Sequence, residues 1–167
     1  ELALSQPYQR SSQYPEGVEK LSPELFLTAL EKRLSAEQLH ESMSRAVGVK
    51  PDTGAGLAKF MKAYANAPRE PEDEISPSLK ATLFVLNDPL VLAWLEPTPG
   101  NLVERLSKMD ESKIAEELFL SVLNRLPSPE EKQHVDKYVK ANSTKKPAAL
   151  GRLAWSLLAS TEFGLNH

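Results

Sequence analysis

Leu150-Gly151-Arg152-Leu153-Ala154-Trp155-Ser156-Leu157-Leu158 decides the class of this fold. Leu150, Leu153, Ala154, Leu157 and Leu158 fall at i, i+3, i+4, i+7 and i+8, so an α-helix gathers them on one face. Trp155 stands beside that stripe. Upstream, Asp110 to Asn124 carries the same period: Ile114, Leu118 and Val122 form one line, and Phe119 and Leu123 widen it into a broad buried face.

Working outward, helix starts recur along the chain. Ser22-Pro23-Glu24, Ser76-Pro77-Ser78, Asp88-Pro89-Leu90 and Ser128-Pro129-Glu130 each place a capping side chain before a Pro at the first helical position. There the missing N–H costs nothing and the fixed φ already suits a helix. Ser35-Ala36-Glu37-Gln38 has capping-box spacing, and the stripe Leu39, Met43, Ala46 and Val47 follows until Gly48 offers a stop. A further helix is expected from near Thr53 to Ala65 with Leu57, Phe60, Met61 and Tyr64 on one face, and Asn101 is expected to cap a short one bearing Leu102, Val103 and Leu106. Strand alternation bounded by hairpin turns is absent, so the expected fold is all-α: a compact multi-helix domain with short connections punctuated by 13 prolines. Residues 1–167 read as a single helical domain, with 1–20 a leading segment from an upstream domain. Residues 68–76, rich in Pro and acid, read as an exposed linker between two helical sections.

Composition narrows the function. The net charge of -3 spreads over interspersed acids and bases, which argues against a nucleic-acid partner. Lys137, Lys140 and Lys145-Lys146 form the longest basic cluster and read as a solvated helix face. The absence of Cys removes disulfides, thiolate metal sites and covalent haem attachment. No run approaches the length of a membrane span, so no membrane insertion is expected. Beginning at Glu1 within polar sequence, the chain reads as an excised or processed fragment.

Ordered motifs add a resemblance. Tyr8-Gln9-Arg10-Ser11-Ser12, Arg33-Leu34-Ser35-Ala36-Glu37-Gln38-Leu39 and Ala81-Thr82-Leu83-Phe84-Val85-Leu86-Asn87 come first. Glu116-Glu117-Leu118-Phe119 through Pro129-Glu130-Glu131, then Leu157-Leu158-Ala159-Ser160-Thr161-Glu162-Phe163 with Asn166-His167, complete the order. Together they resemble the C-terminal domain of unknown function of large planctomycete multidomain proteins, found downstream of a cytochrome c-like domain. The resemblance implies an exported setting, periplasm or cell envelope, and larger neighbouring domains. It implies no catalytic residues.

The candidates for chemistry each have a plainer explanation. His40, His134 and His167 lack the close spacing of a zinc or triad site; His40 and His134 read as partly buried structural residues and His167 as a chain end. Glu70, Glu72, Asp73 and Glu74 lack the pattern of a preorganised calcium loop and read as a solvated linker. Glu116-Glu117 and Glu130-Glu131 suit helix N-termini rather than a glycosidase pair. Gly54-Ala55-Gly56 has no preceding strand and no following Gly-Lys-Ser/Thr, so a flexible helix start explains it better than a phosphate cradle. Ser35, Ser76, Ser128 and Ser160 sit at helix boundaries as caps. Trp94 and Trp155 read as core rather than groove aromatics.

These readings assign no catalytic residue, no cofactor and no metal. The expected interaction residues are Tyr8 and Tyr14, which suit docking against a neighbouring domain. The expected function is a non-catalytic helical interaction or structural module of an exported multidomain protein. Its partners would be upstream domains of the same polypeptide, or a protein or glycan. The alternative is an accessory subdomain that completes an active site, redox or polysaccharide-related, on an upstream domain.

Overall fold

In the computed structural model, which describes residues 32–64 and 79–166 of the chain, the fold is all-α. Helix α1 spans Ala36–Ala46, α2 Ala55–Tyr64, α3 Leu79–Asn87, α4 Pro89–Trp94, α5 Leu102–Ser107, α6 Glu111–Leu123, α7 Pro129–Ala141 and α8 Lys146–Leu158. A 3-10 turn, Ser143–Lys145, leads into α8. Two short strands, β1 (Lys32–Arg33) and β2 (Leu165–Asn166), pair antiparallel and bring the chain's end against the approach to α1. The helix expected after Ser22, the cap at Ser76 and the linker 68–76 lie outside the described residues.

The local signals act as their chemistry requires. Ser35 and Ser128 form full capping boxes with Gln38 and Glu131, so each N-terminus satisfies donors that have no partner within the helix. Asp88 accepts from the Leu90 N–H at 2.8 Å and Asn101 from the Glu104 N–H at 2.9 Å. α1 ends in a Schellman turn: the Gly48 N–H bonds to the Arg45 carbonyl and the Val49 N–H to the Ser44 carbonyl, with Gly48 at φ 75°. Only glycine adopts that backbone freely.

One core joins the helices on both sides of residues 65–78. Met43 and Val47 of α1, Phe60 of α2 and Val85 of α3 belong to the same cluster as Leu106, Ile114, Leu118 and Leu150. α5 lies deepest, with Leu102, Val103 and Leu106 fully buried. α8 closes the bundle, and Gly151 sets how near it comes. A Cβ there would stand 2.6 Å from the Leu95 carbonyl oxygen, so the end of α4 packs directly on α8's backbone.

α2 departs from its expected face. Gly56, Phe60 and Ala63 are buried, whereas Met61 is 48% exposed. One step along a helix turns a side chain by about 100°. With Phe60 at the centre of the buried face, Met61 is carried to its edge and outward.

Candidate interaction surfaces

Two concavities follow from this packing. The first, about 210 Å³, opens between α1, α3, the end of α8 and the ladder. Leu39, Met43, Val85 and Leu158 supply apolar lining, and Arg33 and Tyr64 add polar groups. The Arg33 guanidinium lies 5.5 Å from the centre of the Tyr64 ring, a cation–π arrangement. Burial raises the Tyr64 hydroxyl's pKa, and the Arg33 charge opposes that rise.

The second, about 340 Å³, lies between α6, α7 and α8. Leu118, Phe119, Val135, Leu153 and Leu157 make its walls, with His134, Tyr138 and Ser156 adding polar groups. Its carboxylate, Glu131, is already engaged. Arg125 donates from Nη1 and Nη2 to Glu131 at 2.8 Å each and from Nε and Nη2 to Glu162 at 2.6 and 2.9 Å. A single guanidinium therefore clamps the end of α6 to the start of α7 and to the turn after α8. The same group lies 5.1 Å from the centre of the Phe119 ring.

This clamp makes a prediction about acid. The Arg125 hydrogen bonds, helped by the Ser128 N–H, hold the Glu131 carboxyl at about 2, below its ordinary 4.5. A depressed carboxylate stabilises the fold fully above about pH 4.5, and the contribution is lost as pH falls from there toward 2. Arg125 stays charged throughout, its own pKa being raised by both glutamates. Because both side chains are about one-third exposed, solvent screening reduces the effect to about 1–2 kcal/mol. Urea titrations across this pH range should show the Arg125→Ala protein less stable at neutral pH by that amount. Its stability should also fall less steeply in acid than that of the parent chain; parallel acid slopes would show the clamp to be inert.

The histidines separate. His40 is buried, 3% exposed, among aromatic rings, and its Nε2 has no hydrogen-bond partner among the described residues. The Phe60 centroid is 5.0 Å away and that of Trp94 5.8 Å. His40 is therefore deeper than its place at the margin of the Leu39/Met43 stripe implies, because α2 folds over that edge of α1. His134 is exposed rather than partly buried, at the edge of the second concavity. His167 lies outside the described residues. No three His, Asp or Glu among the described residues gather closely enough to hold a metal ion.

At the start of α2, Asp52 uses the donors that a phosphate would need. Its carboxylate accepts from the Gly54 N–H at 2.8 Å and the Gly56 N–H at 2.7 Å, and these bonds lower its pKa. The Gly-Ala-Gly stretch is thus a self-capped helix start. Ser160 and the two tryptophans are structural as well. Ser160 accepts from the Phe163 N–H at 3.2 Å, Trp94 is buried, and the half-buried Trp155 donates its ring N–H to the Val85 carbonyl at 3.2 Å. Tyr8, Tyr14 and the acidic group Glu70, Glu72, Asp73 and Glu74 lie outside the described residues.

Four structural residues escaped the sequence reading in whole or part. Arg125 and Glu162 meet across 37 positions, and Gly151 is needed by a neighbour 56 positions away, so neither had a local signal. Asn101 was legible as a cap. Its amide also donates to the Trp94 and Glu96 carbonyls, at 3.2 and 2.6 Å, tying α4 to α5 as a satisfied buried polar group.

No helix among the described residues is long and apolar enough to cross a membrane. No protein-family model matches this chain, and no curated protein or solved structure matches it either.

Proposed function

We propose that this domain is a non-catalytic helical module that packs against neighbouring domains of an exported multidomain protein. One observation carries the reading. Both concavities described above are lined mainly by apolar side chains, and the charged groups beside them, notably Glu131 and Arg125, are engaged in structural pairs. Apolar grooves with spent polar groups suit docking better than bond-making chemistry, which needs convergent acids, bases or nucleophiles. The resemblance to the planctomycete C-terminal domain supplies the exported setting and the upstream domains as partners.

The test is association in trans. The chain of residues 1–167 and the separately produced upstream domains should form a stable complex by calorimetry, without a new activity appearing. A hydrolytic or redox activity that arises only when the two are mixed would favour the accessory-subdomain reading instead.

A further inference from the structure

We propose that His40 and Asp52 form a proton-driven latch at the start of α2. When His40 takes up a proton from solvent, the Asp52 carboxylate leaves the Gly54 and Gly56 N–H groups for the imidazolium, and the first turn of α2 loosens from α1. The inference goes beyond the docking reading and does not depend on it.

The geometry brings the two groups to one point. A Cβ on Gly56 would stand 2.8 Å from Asp52 Oδ2 and 3.4 Å from His40 Nε2, so the two atoms lie no farther apart than the sum of those distances. Gly56 has no Cβ and leaves that space to them. His40 Nε2 is buried without a hydrogen-bond partner among the described residues, a costly state for a polar atom. A second proton on the ring makes Nε2 a charged donor whichever tautomer preceded it. An unpaired charge among the Phe60 and Trp94 rings costs far more than a hydrogen bond, so it draws in a carboxylate.

Asp52 is the carboxylate placed to answer. On α1, Glu41 pairs with Arg45 at 2.6 Å and Glu37 accepts from the Ser35 hydroxyl at 2.9 Å. α4 has no titratable side chain, and its capping Asp88 is engaged by Lys59 of α2 at 3.0 Å. Lys50, before α2, and Lys62, on α2, are exposed. Asp52 is exposed as well, so its side chain can turn without disturbing the core. The Gly54 and Gly56 N–H bonds lower its pKa and the charge on His40 adds to that lowering, so Asp52 remains ionised while a histidine titrates. The two N–H groups it gives up fare differently. Gly54 is exposed and water replaces the lost acceptor, whereas Gly56 is buried, so the cost falls on the first turn of α2.

The test is a titration of the isotopically labelled full chain from about pH 8 to 5, the range in which histidine changes charge, followed by NMR of the imidazole and of the amides. The Gly54 and Gly56 amide signals should move with the same midpoint as the His40 ring. Exchange of the Gly56 amide, corrected for the intrinsic effect of pH, should quicken by at least about tenfold over that range, as expected for loss of a hydrogen bond to a charged acceptor. Asp52→Asn keeps an oxygen for the cap and removes the charge, so the ring should titrate while both glycine amides stand still. In His40→Phe the glycine amides should be flat across the range. If that variant fails to fold, the Asp52→Asn comparison decides.

Glycine amides that stay fixed in the parent chain while His40 titrates would overturn the proposal. So would an imidazole that takes up no proton above about pH 5, or a Gly56 transition that persists in Asp52→Asn or in His40→Phe.

Discussion

A chain ending at Ala149 is expected not to fold. The deletion removes Leu150 and Ala154, both fully buried, and Leu158 and Phe163, 3% and 8% exposed. Each large apolar side chain taken from the core forfeits about 1.5–3 kcal/mol, against a typical domain total of about 5–15 kcal/mol. The loss extends to the partners, because α8 packs against α5, α6 and α7 and its removal bares surface on all three. Two polar ties go with it: the Trp155 N–H to the Val85 carbonyl, and the Glu162 half of the Arg125 clamp. Far-ultraviolet circular dichroism and thermal melting should find neither native helix content nor a cooperative transition. A soluble truncation that melts cooperatively would make α8 peripheral, contrary to its burial.

The features legible in the sequence were those whose cause lies within a few residues. Ser35, Asp88, Asn101 and Ser128 cap helices because a side-chain oxygen reaches an N–H two or three positions ahead, and Gly48 ends α1 because the required φ is local. The period of α8 was equally plain, since one face of one helix is a local pattern. Features needing two distant segments were not legible. The β1–β2 ladder joins residues more than 130 apart in sequence without any alternation to announce it. Gly151 carries no mark distinguishing a close contact from an ordinary helical glycine until Leu95 is placed against it. Met61 and His40 show the middle case: the helices were expected, but which edge of each stripe faces a neighbour depends on how α1 and α2 cross. The grooves belong to the distant class entirely.

Phe60→Ala should produce the largest loss of any single substitution considered, about 3–5 kcal/mol, the range for truncating a fully buried Phe. The ring is 0% exposed and lies in an aromatic cluster, with Phe84 edge-on at a 4.8 Å centroid distance, His40 edge-on at 5.0 Å, Trp94 at 5.8 Å and Tyr64 at 6.1 Å. Offset and edge-to-face pairs add about 0.5–1.5 kcal/mol each beyond burial, so the cavity forfeits more than transfer energy. The site also has little freedom to collapse. Its walls come from α1, α2, α3 and α4, and Asp88 ties two of these helices together by capping α4 while bonding the Lys59 ammonium of α2 at 3.0 Å. Phe60→Leu retains most of the volume and should lose less than half as much as the alanine change. Equilibrium urea unfolding of the three proteins decides the matter. A loss below about 1 kcal/mol for Phe60→Ala would mean that the four neighbouring rings close over the gap, and that α2 is held to the core by something other than this side chain.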